Sequence, residues 1–176
     1  MRILCPADAA ALAAAYVRNR EYLSSWEPAR PGEYYTEAWQ AADIARRLVA
    51  TEAGEGYPLA LFAGDTLVGR FNVAGIVRGP FQSAGLGYWV DSEYAGRGLA
   101  SAAVQAIVET ARGKLGLHRM EASTLLHNVG SQRVLLKSGF RQIGMAPGYL
   151  QIAGTWQDHK LYQIILHDHP SRPASA

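Results

Sequence analysis

Near the start of the chain, apolar side chains recur every three or four residues, which is the spacing of one helix face. This pattern predicts a short helix from Asp8 that ends before the aromatic and proline-rich stretch Trp26–Pro31. A second helix is predicted to begin at Thr36, a residue type that favours the N-cap, and to end at Gly54. We expect the stretch between the two helices to be an ordered loop.

After Pro58 the pattern changes to short apolar runs separated by turn residues, which is typical of β-strands. Strands are predicted over residues 59–63, 67–73, 86–90 and 120–126, with strand-like segments near Ile143, at Tyr149–Ile152 and at His159–Ile165. Two helical patterns lie between these runs, a long one over Leu99–Leu115 and a short one from Asn128 through Lys137. This order predicts a single α/β domain with several strands around a central strand-to-helix step.

The composition agrees with one domain, since 49% of the 176 residues are hydrophobic, which is enough for a single core. We expect this domain to occupy residues 1–169 and residues 170–176 to form a flexible tail. A net charge of +2 without a basic tract argues against a nucleic-acid surface or a membrane-surface patch. The apolar stretch Ala7–Val17 contains Asp8 and falls short of the roughly 20 residues that cross a bilayer.

Metal and disulfide chemistry find little support in the sequence. Cys5 is the single cysteine, which excludes an intramolecular disulfide and a zinc site of several thiolates, and favours a reducing, cytoplasmic setting. His167-Asp168-His169 contains metal-ligating residue types, but no other region supplies matching ligands. We therefore predict no metal site.

A glycine-rich turn, Ala95-Gly96-Arg97-Gly98-Leu99-Ala100, lies between a predicted strand and the clearest predicted helix. Its glycines let successive backbone N–H groups converge on an anion, and the helix N-terminus adds partial positive charge. This favours a diphosphate ligand, with Arg97 placed to add a charged contact. The turn lacks the Gly-Lys-Ser/Thr of a P-loop, and it lacks the third glycine and acidic partner of a Rossmann fingerprint. On these residues alone, a structural turn without a ligand stays open.

Together with its surroundings, this turn resembles the acetyl-CoA-binding turn of the GNAT N-acetyltransferases, whose pattern is Gln/Arg-x-x-Gly-x-Gly/Ala. Gly98 and Ala100 match the last two fixed positions, and Ala95 stands where the family prefers Gln or Arg. Asn128-Val129-Gly130-Ser131 is similar to the family's Asn-x-x-Ser helix start, and Gly139-Phe140 to its closing Gly-Phe. The resemblance implies the GNAT fold, a central mixed, mostly antiparallel sheet flanked by helices.

Further runs narrow the resemblance. The chain is similar to the RimJ/RimL-like branch, which is associated with N-terminal acetylation of a ribosomal protein, at Asn19-Arg20 with Trp26-Glu27-Pro28, at Val77-Arg78-Gly79, at Leu86-Gly87-Tyr88 and above all at Tyr149–His159. The resemblance covers nearly the whole chain. It implies transfer of an acetyl group from acetyl-CoA to an amine, with the N-terminal α-amine of a protein or peptide as the expected acceptor.

The family mechanism implied by the resemblance is direct attack of a neutral amine on the thioester, with an oxyanion and a thiolate leaving group. The coenzyme is expected at the backbone amides of residues 95–100, at the strand backbone of Trp89 and Val90, and at Asn128 and Ser131. A backbone N–H near Trp89 or Val90 is the expected oxyanion donor. Ser131 matches the family serine that assists the departing sulfur. Asn128 and Ser131 are equally typical of helix capping, and that alternative stays open.

The general base is less evident, because the strand Gly85-Leu86-Gly87-Tyr88-Trp89 has no carboxylate where many GNAT enzymes place a glutamate. An α-amine of pKa about 8 is already partly neutral at pH 7, whereas a lysine amine of pKa about 10.4 is not, so this gap favours an α-amine acceptor. Glu27 is the first candidate base and His159 the second. The residues expected at the acceptor are Trp26, Glu27, Tyr88, Tyr149 and His159, and the catalytic candidates are Ser131, Glu27 and Tyr88.

The sequence alone leaves two other functions open. The first is acetylation of a small-molecule amine. The second is a non-catalytic acyl-CoA-binding sensor, because Ala95 and the missing strand glutamate depart from the family pattern. The expected partners are acetyl-CoA and a protein or peptide N-terminus, a ribosomal one included, or a small amine. A homodimer is compatible with the sequence, and neither nucleic acid nor a membrane is expected.

Overall fold

The computed structural model describes residues 1–168. Its helices are α1 (Ala9–Arg18), α2 (Arg20–Ser24), α3 (Glu37–Glu52), α4 (Leu99–Gly113) and α5 (Val129–Lys137). Its strands are β1 (Arg2–Ile3), β2 (Gly56–Ala63), β3 (Thr66–Val77), β4 (Ser83–Val90), β5 (Arg119–Leu125), β6 (Arg141–Ile152) and β7 (Thr155–Ile165). Within residues 1–168 the strands form one sheet in the order β1-β2-β3-β4-β5-β7-β6, with β4 and β5 as the parallel pair. The predicted α/β fold with a mixed, mostly antiparallel sheet is confirmed; the expected tail, residues 170–176, lies outside the described residues.

Helices cover the sheet on both faces. On one face, α4 and α5 pack over a core that includes Phe71 and Ile107. On the other face, α1 and α3 pack over a second core that includes Tyr16 and Trp89. Because neighbouring strand residues point to opposite faces, Tyr88 packs toward α4 and α5 whereas Trp89 packs toward α1.

The single helix predicted from Asp8 is wrong, because α1 and α2 are separated at Asn19. Asn19 is fully buried, and its Nδ2 donates to the Ala15 carbonyl at 3.0 Å and to Asp91 Oδ2 at 2.9 Å. Its Oδ1 accepts from the backbone N–H of Ser92 at 2.9 Å. These bonds fix the break against the turn after β4, and local periodicity contains no information about such distant partners.

The strand predictions also require correction. The sequence pattern did not indicate β1, which has only two residues. β6 is one continuous strand, although two separate segments were predicted on either side of Pro147 and Gly148. Pro147 is tolerated because β6 lies at the edge of the sheet and its register shifts between Ala146 and Leu150.

A gap between β4 and β5 is the feature of the sheet that positions the site. The two strands pair only where Ser83–Gly85 lies beside Arg119–Glu121. Beyond these residues the strands separate, so the facing edges of Leu86–Val90 and Ala122–Leu125 have no strand partner in the gap. Backbone groups along both edges are therefore available to a ligand.

Candidate active site

Three adjoining cavities meet at the gap. The main cavity, about 550 Å³, is lined by the end of β4, the turn around residues 94–101 and the start of α5. The connecting cavity, about 240 Å³, lies between residues 86–89 of β4 and 122–125 of β5. The distal trough, about 410 Å³, is lined by residues of β3, β4 and β5 together with parts of α3, β6 and β7.

Shared residues show that the cavities are continuous. Tyr88 and Ser131 line both the main and the connecting cavity, and Gly87 and Ser123 line both the connecting cavity and the distal trough. The main cavity lies on the face covered by α4 and α5. Asn72 and Ala74 of the trough alternate along β3 with Phe71 and Val73, which face α4, and Arg47 of the trough belongs to α3, so the trough opens on the opposite face. Within the gap it is also lined by Leu86, Ala122 and Tyr162 of the α4-side core. The three cavities therefore form one passage across the sheet.

The glycine-rich turn presents unpaired backbone donors to the main cavity. Gly96 (φ 75°) and Gly98 (φ 81°) adopt the left-handed conformation, and Gly98 is the N-cap of α4. Within residues 1–168, no backbone carbonyl accepts from the N–H groups of residues 96–101, and the α4 ladder begins with Ala102 donating to the Gly98 carbonyl at 3.0 Å. These N–H groups and the helix N-terminus form an anion site.

Nine of the ten residues predicted to bind the coenzyme line the main cavity: Trp89, Val90, Ala95, Gly96, Gly98, Leu99, Ala100, Asn128 and Ser131. Arg97 is not among the lining residues; its guanidinium lies over the ring of Tyr94, 5.3 Å from the ring centroid. The indole of Trp89 donates to the Tyr16 hydroxyl at 3.1 Å within the core, so Trp89 presents its backbone to the cavity.

Asn128 and Ser131 have separate roles at the start of α5. The side-chain oxygen of Asn128 accepts from the Ser131 backbone N–H at 3.0 Å, which makes Asn128 the helix cap. The Ser131 hydroxyl takes no part in the cap. Its Oγ lies 2.9 Å from the Tyr88 hydroxyl, so the pair joins the first turn of α5 to β4 across the cavity wall.

The Tyr88 phenol is protonated at neutral pH. Burial raises its pKa to about 12, although the hydrogen bond with Ser131 acts in the opposite direction. Its ring stacks on Phe71 with centroids 5.5 Å apart, which holds the phenol in place. A protonated phenol can donate to Ser131 Oγ, and the Ser131 hydroxyl hydrogen is then free for a group in the cavity.

The loop after α2 covers the gap. Trp26 lines the main and connecting cavities, and its ring lies 5.4 Å from that of His127 in the turn after β5. On the other side, the Glu27 carbonyl accepts from the Ala153 N–H at 3.2 Å, in the turn between β6 and β7. The loop is thus fixed to both sides of the opening, in agreement with the predicted ordered loop.

Glu27 lines the connecting cavity together with Tyr88 and Ser131. Its nearest cation is Arg30, whose Nε lies 3.8 Å from Glu27 Oε2. Burial raises the pKa of Glu27 above its usual range, and the positive charges of Arg30 and Arg70 only partly oppose this. A carboxylate of raised pKa is better matched to proton transfer near neutral pH.

His159 and Tyr149 lie on the β6–β7 side of the passage. His159 is 3% exposed, lines the connecting cavity, and its Nδ1 lies 3.0 Å from the Gln157 carbonyl. Asp158 does not orient it, as expected for adjacent strand residues, because Asp158 Oδ1 accepts from the Gly148 N–H at 2.8 Å. Tyr149 lines the distal trough, with its ring 5.3 Å from that of His159.

Sequence reasoning missed six polar residues that line the main cavity: Tyr22, Tyr94, Ser101, His127, Arg133 and Lys137. Arg133 and Lys137 are four residues apart on α5, a spacing that places both on one helix face. This spacing is visible in the sequence and could have indicated that two cationic side chains lie together beside the glycine-rich turn. His127 gave no signal, because its position opposite Trp26 depends on the tertiary fold.

The geometry of the turn, the gap and the passage agrees with a known family. Residues 1–141 match the model of the acetyltransferase (GNAT) domain. The chain belongs to the GNAT acetyltransferase family. It is 32% identical over 171 residues to the ribosomal protein uS5-alanine N-acetyltransferase of Escherichia coli (strain K12), an alignment that covers 96% of this chain and 88% of the relative.

Solved GNAT structures are also similar. The ribosomal-protein-S5-alanine acetyltransferase from Vibrio fischeri has a TM-score of 0.92 and 30% identity, covering 95% of this chain and 92% of that one. Mycobacterium smegmatis RimJ in complex with CoA-disulfide has a TM-score of 0.89 and 28% identity, covering 93% and 80% of the two chains. This chain is accordingly an acetyl-CoA-dependent N-acetyltransferase of the GNAT family.

The donor set of the GNAT turn fits a diphosphate, since its N–H groups converge without partners of their own. Among residues 1–168, no group of three or more His, Cys, Asp or Glu side chains is arranged to hold a metal ion; His169 of the His-Asp-His motif lies outside the described residues. None of the helices within residues 1–168 combines the length and apolar character that crossing a bilayer requires.

Replacing Gly98 with alanine is expected to raise the Kd for CoA about tenfold. A Cβ at Gly98 would meet no atom within 4 Å, so the protein folds, but a left-handed φ disfavours alanine by roughly 1–2 kcal/mol and the turn relaxes. Coenzyme binding must then restore the strained turn, and about 1.4 kcal/mol corresponds to a factor of ten. Titration calorimetry measures the change.

The matched control is Gly64→Ala in the turn between β2 and β3. Gly64 also has a positive φ, 58°, and open space around a Cβ, so its replacement introduces similar strain far from the main cavity. We expect its Kd for CoA to equal that of the wild type. Equal affinities in all three proteins would contradict the role of the turn.

Proposed function

We propose that this enzyme acetylates the N-terminal α-amine of a polypeptide. The observation that carries the proposal is the distal trough, which opens on the face opposite the main cavity and is continuous with the connecting cavity at Gly87 and Ser123. A polypeptide end lying in this trough presents its amine at the gap, next to the wall formed by Tyr88 and Ser131. The acceptors named for the E. coli and V. fischeri proteins, ribosomal-protein alanines, support the same class.

The chemistry of the gap also favours an α-amine. β4 contains no carboxylate, so no strong base lies on the strand that borders the thioester side of the passage. An α-amine is about 2.5 pKa units less basic than a lysine amine, so forming its neutral state costs roughly 3.4 kcal/mol less. A site with modest base assistance therefore acts preferentially on an α-amine.

Bound acetyl-CoA supplies the thioester that is attacked and the thiolate that leaves. We propose that the N–H groups of residues 96–101 hold its diphosphate and that the unpaired edge of β4 at Trp89 and Val90 pairs with its amide-containing arm. A backbone N–H at Trp89 or Val90 would donate to the carbonyl oxygen as negative charge develops there. Asn128 keeps the start of α5 in position beside this edge.

Ser131 is proposed to donate its hydroxyl hydrogen to the departing sulfur. A thiol of pKa about 8.5 leaves readily, so a hydrogen bond from a weak acid is sufficient assistance. We propose that Tyr88 acts through Ser131 as a positioning residue: its protonated phenol lies 2.9 Å from Ser131 Oγ, and donation to that oxygen would direct the serine hydrogen toward the cavity.

Glu27 is proposed to receive the ammonium of the acceptor and to take its proton through water. Glu27 lines the connecting cavity, and its raised pKa is suited to proton transfer near neutral pH. His159, in the same cavity, is the second candidate for this role. Trp26 and Tyr149, at the two ends of the passage, are proposed to contact the acceptor.

A peptide panel tests the acceptor class. One series has a free N-terminus with its lysines blocked, a second has a blocked N-terminus with a free lysine, and a third contains polyamines and aminoglycosides. Thiol release from acetyl-CoA gives kcat/KM for each, and mass spectrometry locates the acetyl group. Faster turnover of the first series supports the proposal, whereas faster lysine or small-amine acetylation contradicts it.

We propose a cytoplasmic location for this activity. The lone Cys5, half-buried beside Arg2 and Asp8, agrees with a reducing compartment. The ribosomal proteins named as acceptors of the relatives agree with the same compartment.

Glu27→Gln is expected to lower kcat about 10- to 100-fold at pH 7 and to remove the acidic limb of the pH profile. In the wild type, activity should rise with pH as Glu27 loses its proton, at a pH above the usual range of a glutamate because its pKa is raised.

The contribution of Glu27 to folding stability should fall as pH rises. A carboxyl whose folded pKa is raised contributes stability at low pH and loses it as pH rises, so Glu27→Gln should raise Tm at pH 7 but not at pH 4.

The control is Glu21→Gln, an exposed carboxylate on α2 outside all three cavities. This variant should keep the wild-type pH profile and Tm. If Glu27→Gln kept the acidic limb, the proton would be taken by another group, and His159→Gln becomes the next variant.

A further inference from the structure

One side of the distal trough has an excess of positive charge. The Asp43 carboxylate on α3 is shared by the guanidinium groups of Arg46, Arg47 and Arg70. Burial disfavours the charged form of Asp43, but its bonds to Arg47 and Arg70 hold its pKa below the usual range, so it is ionised. Within this cluster three guanidinium groups share one carboxylate, which is a local excess of positive charge.

Arg47 is the member of the cluster that brings this charge to the trough. Its Nε donates to Asp43 Oδ2 at 2.7 Å, which fixes the guanidinium, and its side chain is 34% exposed and lines the trough. Arg70 is only 2% exposed, and Arg46, 67% exposed, lines none of the three cavities. Glu121 is a carboxylate that also lines the trough, and its charge is compensated by Arg119 at 2.9 Å.

The floor of the trough is suited to an extended main chain. Gly85 and Gly87 of β4 have no side chains there, and a Cβ added to Gly87 would meet no atom within 4 Å. Asn72 of β3 is paired with Gly87 of β4 in the sheet. Its side-chain Oδ1 is buried and has no hydrogen-bond partner in the described structure. A buried acceptor without a donor is costly, so an incoming N–H at this position is favoured.

We propose that Arg47 is a specificity-determining residue that selects acceptor polypeptides with an acidic side chain close to the N-terminus. The inference rests on the proposed function, because it assumes that the residues following the α-amine lie in the trough. Extended residues advance about 3.3 Å each, so a chain with its amine at the gap brings one of its next few side chains alongside Arg47. The carboxylate of that side chain pairs with the guanidinium, which has only one bond to Asp43.

The test compares peptides that differ only in having Glu, Gln or Lys at one position, scanned from the second to the fifth residue. At the preferred position the wild type should show kcat/KM for Glu about fivefold above Gln at low salt, with Lys below Gln, since a partly exposed ion pair contributes up to about 1 kcal/mol. The ratio should shrink as salt is raised.

Arg47→Gln should bring the Glu-to-Gln ratio close to one, and Arg47→Lys should retain most of it. Arg46→Gln is the matched control, since it also removes one ion pair from Asp43 but lies outside the trough. It should keep the wild-type ratio, and Tm of both glutamine variants shows whether they fold alike.

A ratio unchanged in Arg47→Gln, or reduced equally in Arg46→Gln, overturns the inference while leaving the proposed function in place. Absence of acetylation of every free N-terminus by the wild type overturns both. A Glu-to-Gln ratio that falls only in Arg47→Gln supports both the inference and the proposed function. The peptide position at which the wild-type ratio is largest shows how many residues separate the α-amine from the side chain that meets Arg47.

Discussion

Replacing Ser131 with alanine is expected to lower kcat about 100-fold, which is the lower end of the usual contribution of a positioned proton donor. The Kd for acetyl-CoA should stay unchanged, because Asn128 still caps α5 through the Ser131 backbone N–H and the donors of the glycine-rich turn are untouched. Steady-state kinetics and calorimetry measure the two quantities. Kinetics equal to those of the wild type would remove Ser131 from the mechanism.

Two further variants separate chemistry from folding. Ser138→Ala removes a hydroxyl at the other end of α5, where Oγ is buried without a hydrogen-bond partner in the described structure, and should leave kcat unchanged. Tyr88→Phe keeps the ring on Phe71 but loses the bond to Ser131, and should lower kcat about 5- to 10-fold, as for one hydrogen bond of roughly 1 kcal/mol. A loss in Ser138→Ala as large as in Ser131→Ala would indicate a general defect of α5.

Gly87→Val is expected to lower kcat/KM for peptide acceptors about 10- to 100-fold, because its side chain would occupy the junction of the distal trough and the connecting cavity. Forcing a substrate past added atoms costs roughly 1–3 kcal/mol. The Kd for acetyl-CoA should not change, since Gly87 does not line the main cavity. The strand tolerates the change, because the φ of Gly87 is not left-handed and the added Cβ has open space.

The control for this prediction is Gly144→Val on β6, which adds the same side chain at a position with open space outside all three cavities. Both variants should unfold at or above the wild-type Tm, since valine favours a strand more than glycine does. Gly87→Ala should show a smaller loss of activity than Gly87→Val. Unimpaired peptide acetylation by Gly87→Val would mean that the acceptor reaches the gap by another route.

Local chemistry explains what the sequence predicted well. The turn at residues 95–100 needs glycines for its left-handed positions and a helix to follow, and both requirements are visible in neighbouring residues. α3, α4 and α5 have caps and apolar faces of their own, so their existence was predictable. The break at Asn19 was not, because its side chain bonds to Asp91 and Ser92, which are distant along the chain.

In the candidate site, too, the sequence indicated the residue types, whereas the contacts between them depend on the tertiary structure. Ser131, Glu27 and Tyr88 were singled out as residue types, but their pairing and burial could not be read from the sequence. Only the structure shows that Asn128 caps α5, whereas Ser131 lines the cavities with its Oγ 2.9 Å from the Tyr88 hydroxyl of another element. The sequence did not single out Arg47 as a site residue, because a lysine or arginine side chain on a helix usually lies in solvent without a specific role.

The sequence by itself determined the family, the glycine-rich turn and the absence of a carboxylate from β4, because each depends on the order of residues along the chain. The tertiary structure decided where β4 and β5 part, which cavities join through that gap, and which polar groups meet there. Those features arise from side chains that are far apart in sequence and are brought together only when the two helical layers pack on opposite faces of the sheet.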